Sequence, residues 1–94
     1  MRETADFKKL EKLIKSVANQ RRLAILSFLK KEKEASVGDI AEHLRLSFKS
    51  TSKHISVLFA ADLLEREQEW KVFFFFFNSL FTHSYEWVIR ELES

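Results

Sequence analysis

Wound at 3.6 residues per turn, the stretch from Leu46 to Leu63 reads as one helix with two unlike sides. Thr51, Ile55 and Leu58 fall on one side, with Ala61 and His54 on its margin. Lys49, Ser52, Lys53, Ser56 and Ala60 fall on the other. The first side suits a core. The second is basic and small at its centre, where Ser weakens a helix that meets only water. Small side chains let a backbone approach closely, and flanking Lys residues supply positive charge. Two readings of that outward side are open. It is an ordinary amphipathic surface, or it lies against a large polyanion, as a helix in a DNA major groove does.

The other elements follow from the same spacing. A first helix is expected over about residues 5–16, with Phe7, Leu10, Ile14 and Val17 as a narrow apolar stripe and Leu13 at its edge. It is either a peripheral helix on the core or half of a dimer seam. Asn19 is a good N-cap for a second helix reaching about Lys31. Its Leu23, Ala24, Ile25, Leu26, Phe28 and Leu29 point nearly all round the axis, which marks a central helix. Glu32 to Ala35 reads as a connector. Ser36 then caps a short third helix, with Asp39 three residues on as a weak capping box and Ile40, Ala41 and Leu44 on one side. Arg45 and Leu46 make a tight turn before Ser47 caps the helix described first. Two helices joined by such a turn, the second with a polar outward face, form a helix-turn-helix, which favours the DNA reading.

After Asp62 the pattern becomes extended. Leu63 to Glu67 and Lys71 to Phe77 flank Gln68, Glu69 and Trp70 as a β-hairpin. Phe73 to Phe77 place aromatic rings on both faces of their strand, so both faces need cover. Asn78 or Ser79 opens a last helix over about residues 79–92. Phe81, Tyr85, Val88 and Leu92 share one of its faces, and Leu80 and Trp87 lie roughly opposite. One face would meet the core and the other a second chain. The expected fold is mainly α with a small β-hairpin (α+β): four helices, two strands, then a fifth helix. A single domain over residues 1–94 is expected.

Composition narrows the function. The chain has 94 residues, 46% hydrophobic, with 10 Phe, enough for one domain with a small core. There is no cysteine, which removes disulfides, thiolate metal sites and a Cys nucleophile. The N-terminus is charged rather than signal-like, and no apolar run approaches the roughly 20 residues that span a bilayer. A cytoplasmic protein without membrane attachment is expected. Net charge is only +2, but it is unevenly spread. Residues up to Lys33 carry ten bases against four acids, whereas from Glu65 on six Glu oppose Arg66, Lys71 and Arg90. No Gly-rich phosphate loop and no nucleophile–base spacing is present, so an enzyme is not expected.

Three stretches carry a family likeness: VANQRRLAIL at 17–26, SVGDIAEHLRLSFKSTSKHISVLFAADLL at 36–64, and LEREQEWKVFFFFFN at 64–78. Over roughly residues 10–80 the chain resembles the ArsR-type winged helix-turn-helix transcriptional regulators. The resemblance implies DNA-reading positions at Ser47, Phe48, Lys49, Ser50, Ser52 and Lys53, with His54 a packing position. The helical wheel independently selects Lys49, Ser52, Lys53 and Ser56. Phe48 stands where the family favours a polar residue, and either touches a thymine methyl or folds back beside Phe59. Arg66 and Lys71 are the wing's candidate DNA contacts, although Glu65, Glu67 and Glu69 make that wing acidic. Arg45 and Asp62 replace glycines common in the family, and each would need a left-handed backbone or a different turn. Metal-sensing members use a Cys pair early in their third helix, where this chain has Ser36 and Gly38. Others use the last helix, where only His83 and Glu86 lie. His43, His54 and His83 make no recognised zinc spacing. No metal or other cofactor is expected.

The resulting expectation is a homodimeric, sequence-specific regulator of double-stranded DNA, a repressor reading a palindromic operator through the helix from Ser47. Phe7, Leu10, Ile14, Phe81, Tyr85, Trp87, Val88 and Leu92 would form the dimer seam. A small-molecule inducer is left open. The alternative is a winged-helix protein-interaction module without specific DNA binding.

Overall fold

The computed structural model describes residues 2–69 and 72–78. In chain order the elements are α1 (Arg2–Val17), α2 (Gln20–Glu32), β1 (Ala35–Ser36), α3 (Val37–Leu44), α4 (Phe48–Ala60), β2 (Leu64–Glu69) and β3 (Val72–Phe77). The expected fifth helix, with Phe81, Tyr85, Trp87, Val88 and Leu92, lies outside the described residues.

The helix starts are set by side-chain caps. Asn19 Oδ1 accepts from the Arg22 N–H at 3.1 Å, Ser36 Oγ from Asp39 N–H at 3.1 Å, and Ser47 Oγ from Ser50 N–H at 3.0 Å. Each satisfies a donor that has no partner inside its helix. The ends are equally local. At the end of α3 the Leu46 N–H donates to the Ala41 carbonyl at 3.0 Å and Arg45 N–H to Glu42 at 3.3 Å. At the end of α4 the Leu63 N–H reaches Leu58 at 3.1 Å and Asp62 N–H reaches Phe59 at 3.0 Å. Both pairs are the 6→1 and 5→2 bonds of a Schellman motif, which turns on one left-handed residue. Those residues are Arg45 at φ 55 and Asp62 at φ 62, so of the two outcomes left open for these positions the left-handed backbone is the one that forms. α4 therefore stops at Ala60, short of Leu63.

The sheet has three strands in the order β1-β3-β2, all antiparallel. The segment expected to be a bare connector holds the short strand β1, with Ala35 opposite Phe75 and Ser36 opposite Phe74. Two residues show no alternation, so the pairing is invisible before β3 is placed. β2 pairs with β3 from Leu64↔Phe77 to Glu69↔Val72. Residues directly opposite share a face. Leu64, Arg66 and Gln68 thus lie with Phe77, Phe75 and Phe73, and Glu65, Glu67 and Glu69 lie with Phe76, Phe74 and Val72.

The core is one cluster: Leu13 and Val17 of α1, Ile25, Leu26 and Leu29 of α2, Ile40, Ile55 and Leu58 of the helix-turn-helix, then Ala35, Leu63, Leu64 and Phe75. Two expectations are corrected. Leu13, placed at the edge of α1's stripe, is fully buried, while Phe7 and Ile14 face outward at 66% and 51% exposure. α1 turns Leu10, Leu13 and Val17 to the core, a face rotated from the one that the apolar count alone selects. α2 is central, packing against α1, α3, α4 and β3. It is nevertheless not covered all round, because Leu23 is 39% exposed.

Candidate nucleic-acid interface

α4 divides as its wheel divides. Thr51, Ile55 and Leu58 are buried, and Lys49, Lys53, Ser56 and Ala60 are exposed. Ser52 and Ser50 are half-buried and Ser47 and Phe48 exposed. The outward strip thus consists of the two Lys side chains, one turn apart, around a floor of small hydroxyls. Thr51 locks this strip to the core: its Oγ1 donates to the Ser47 carbonyl at 2.9 Å while its methyl is buried. Ser47 Oγ already accepts from Ser50 N–H, so its own O–H proton is free to donate outward. That hydroxyl sits at the positive end of the helix dipole, beside Lys49, where a phosphate oxygen is the natural acceptor.

His54 occupies the margin between strip and core. Arg22 Nη1 lies 3.3 Å from His54 Nδ1, and Arg22 Nε donates to the Ser16 carbonyl at 2.6 Å. A guanidinium only donates, so Nδ1 is the acceptor and the ring's proton belongs on Nε2. Burial, then the Arg22 charge, then that of Arg21, push the His54 pKa below its ordinary value. The ring is therefore held neutral and ties α4 to the α1–α2 corner. Sequence spacing does not reveal this link, because Arg22 and His54 lie on different elements. Ser16, buried in the same corner, donates its hydroxyl to the Leu13 carbonyl at 2.7 Å.

Among the described residues the wing contributes the cation of Arg66. The Arg66 guanidinium lies 4.8 Å from the centre of the Phe59 ring and 4.9 Å from that of Phe73. It thus lies over both rings within cation–π reach of each, and the residue remains exposed. Glu65, Glu67 and Glu69 are exposed on the opposite face of β2. The wing's acidity and its arginine are thus on separate sides. Lys71, the other wing candidate, lies outside the described residues. Phe48 is 62% exposed and lines a groove with Ser36, Val37, Gly38, Val72 and Phe73, so it does not fold back beside Phe59. Phe59 instead meets Phe75 edge-on, with ring centres 6.5 Å apart.

Ser36 and Gly38, at the positions of the metal sensors' Cys pair, are the cap and first turn of α3. Among the described residues no group of three His, Cys, Asp or Glu side chains is placed to hold a metal ion. No helix among them is long and apolar enough to cross a membrane.

Residues 19–66 match the family model for bacterial regulatory proteins of the arsR family. The fold is similar to that of HlyU from Vibrio cholerae N16961, with 30% identity and a TM-score of 0.77, over 93% of this chain and 94% of that one. A transcriptional regulator HlyU from Vibrio vulnificus CMCP6 is 27% identical over 97% of this chain and 94% of its own, with a TM-score of 0.73. A homodimeric winged helix-turn-helix DNA-binding domain from Mycobacterium bovis has a TM-score of 0.83 at 22% identity, over 98% of this chain and 84% of its own. Among curated proteins none matches.

Proposed function

The chain belongs to the arsR family of bacterial regulatory proteins, and from that premise we propose that it binds DNA as a homodimeric repressor reading a palindromic operator. That it is a DNA-binding transcriptional regulator follows from the family and from a fold shared with such regulators. The finer reading rests on one observation: the Lys49–Lys53 strip is exposed while the Thr51–Ile55–Leu58 side of the same helix is buried. α4 of each subunit would enter a major groove, the two copies about 34 Å apart. Lys49 and Lys53 would meet phosphates or guanines, Ser47 and Ser50 phosphates, and Ser52 and Ser56 the groove itself. Arg66 would reach a flanking phosphate without leaving its ring stack, and Lys71 would act beside it. Repression then needs no further chemistry, since an occupied operator excludes polymerase.

The dimer is supported by what α1 leaves uncovered. Phe7 and Ile14, two turns apart on one side, are exposed, and Leu10 between them is only partly buried. Phe81, Tyr85, Trp87, Val88 and Leu92 would complete the seam. The Mycobacterium bovis domain of the same fold is described as homodimeric.

Fluorescence anisotropy across a salt series tests the DNA reading. The double change Lys49→Ala/Lys53→Ala should weaken binding and lower the salt slope by about 2 per subunit. An unchanged slope would remove α4 from the interface. The exposed acidic side of the wing favours a second reading, a module that binds protein and has lost its grip on DNA. Random duplex at low salt separates the two, because a DNA binder retains weak non-specific affinity there.

A further inference from the structure

Phe48 is the first residue of α4, and its ring is 62% exposed. Large aromatic side chains are usually well covered, so the position asks for an explanation. The groove it borders has a volume of about 370 Å³. The other walls are the start of α3, where Gly38 adds no side chain beyond Val37, and the start of β3, where Val72 and Phe73 are 42% and 40% exposed. Three exposed apolar side chains from two separate elements therefore line one groove. Its neighbours in the chain are Ser47 and Lys49, the leading residues of the basic strip, at the positive end of the helix dipole. An apolar facet framed by positive charge suits a polyanion that carries an apolar group. In the DNA major groove that group is the 5-methyl of thymine, the base edge's one hydrocarbon feature.

We propose that Phe48, backed by Val72 and Phe73, is a specificity-determining residue that receives a thymine 5-methyl in each half-site. This rests on the DNA reading above and adds a base to it. The lysines supply phosphate or guanine contacts, and Phe48 adds a preference for thymine where the helix begins. The contact requires only that the methyl exchange water for the ring, so its size is that of one buried methyl group.

The test uses the full chain and duplexes recovered by selection from a random pool. Each thymine of a half-site is replaced in turn by deoxyuridine, which removes the methyl and leaves base pairing intact. Anisotropy is read for the native protein, Phe48→Ala and Phe48→Leu. At one or two positions deoxyuridine should weaken the native protein about fourfold. Phe48→Ala should bind the thymine duplex correspondingly less well and show no further loss with deoxyuridine, while Phe48→Leu keeps part of the sensitivity. An unchanged melting temperature, expected of so exposed a side chain, assigns these losses to contact rather than folding. If no deoxyuridine position affects the native protein while it still binds the selected duplex, the methyl contact is overturned and the DNA reading stands. If the native protein retains no duplex even at low salt, both fall together. If Phe48→Ala lowers the oligomer mass and leaves duplex affinity intact, the facet joins two copies of the chain and the proposal is wrong.

Discussion

Among the described residues three other than glycine have positive φ: Lys33 at 78, Arg45 at 55 and Asp62 at 62. Arg45 and Asp62 hold the left-handed position of a Schellman end, where a Cβ crowds the following carbonyl. Asp tolerates this better than Arg, because its short polar side chain bonds locally. Arg45→Gly is expected to stabilise the domain by about 1 kcal/mol and Asp62→Gly by less, read from urea midpoints. A loss of stability in Arg45→Gly would mean that its side chain compensates the backbone. Both positions were marked beforehand by the glycines that the family resemblance places there, which left a left-handed backbone or a different turn open. Lys33 was not, since nothing in Lys-Glu-Lys-Glu announces a turn. His54 gives the second prediction at this scale. Burial and two arginines hold its folded pKa below the ordinary 6.5. The unfolded chain therefore takes up a proton there more readily. Stability present above about pH 6.5 should be lost as pH falls through the lowered folded value. His54→Gln should flatten that part of the melting-temperature profile between neutral pH and about pH 5. A profile identical to the native one would show that the ring titrates freely.

Strand β3 shows how an element can be right in kind and incomplete in detail. Five consecutive Phe name a strand, but the residue type is the same at every position and cannot rank them. Pairing ranks them. Phe75, opposite Ala35 and Arg66, is 7% exposed, and Phe73 on the same face is 40% exposed. Phe75→Ala should cost about 3 kcal/mol or more, as a cavity in a core does. Phe73→Ala should cost nearer 1 kcal/mol, mostly the lost ring under Arg66. Equal losses in chemical denaturation would contradict the register. α1 carries the same lesson. Its apolar residues outnumber what one neighbour can cover, so the wheel left Leu13 and Ile14 in each other's places. Which of them is inside depends on the position of α2, a fact external to α1.

At the scale of the molecule the remaining question is what covers Phe7 and Ile14. Phe7→Glu/Ile14→Glu should leave the fold intact, since both side chains are exposed, and should shift the sedimentation mass from dimer to monomer. Operator affinity should fall with it, because two linked half-sites bind far more tightly than one. A variant that remains a dimer would place the seam elsewhere. The exposed strip of α4 and the proposed wing contact were readable only in part. Lys49, Ser52 and Lys53 announced themselves by spacing, while the ordering of Arg66 by Phe59 and Phe73 required three elements to meet.

Alone, the sequence determined the four described helices, their caps and the two-sided character of α4. All of these depend on neighbours within a few residues, where backbone geometry and side-chain spacing act directly. The tertiary structure decided the third strand, the inward turn of Leu13, the burial of Phe75 over Phe73, the Arg22–His54 tie and the apolar groove at Phe48. Each of those depends on which distant surface arrives opposite a residue. That choice is made by packing the whole core at once, and no local pattern encodes it.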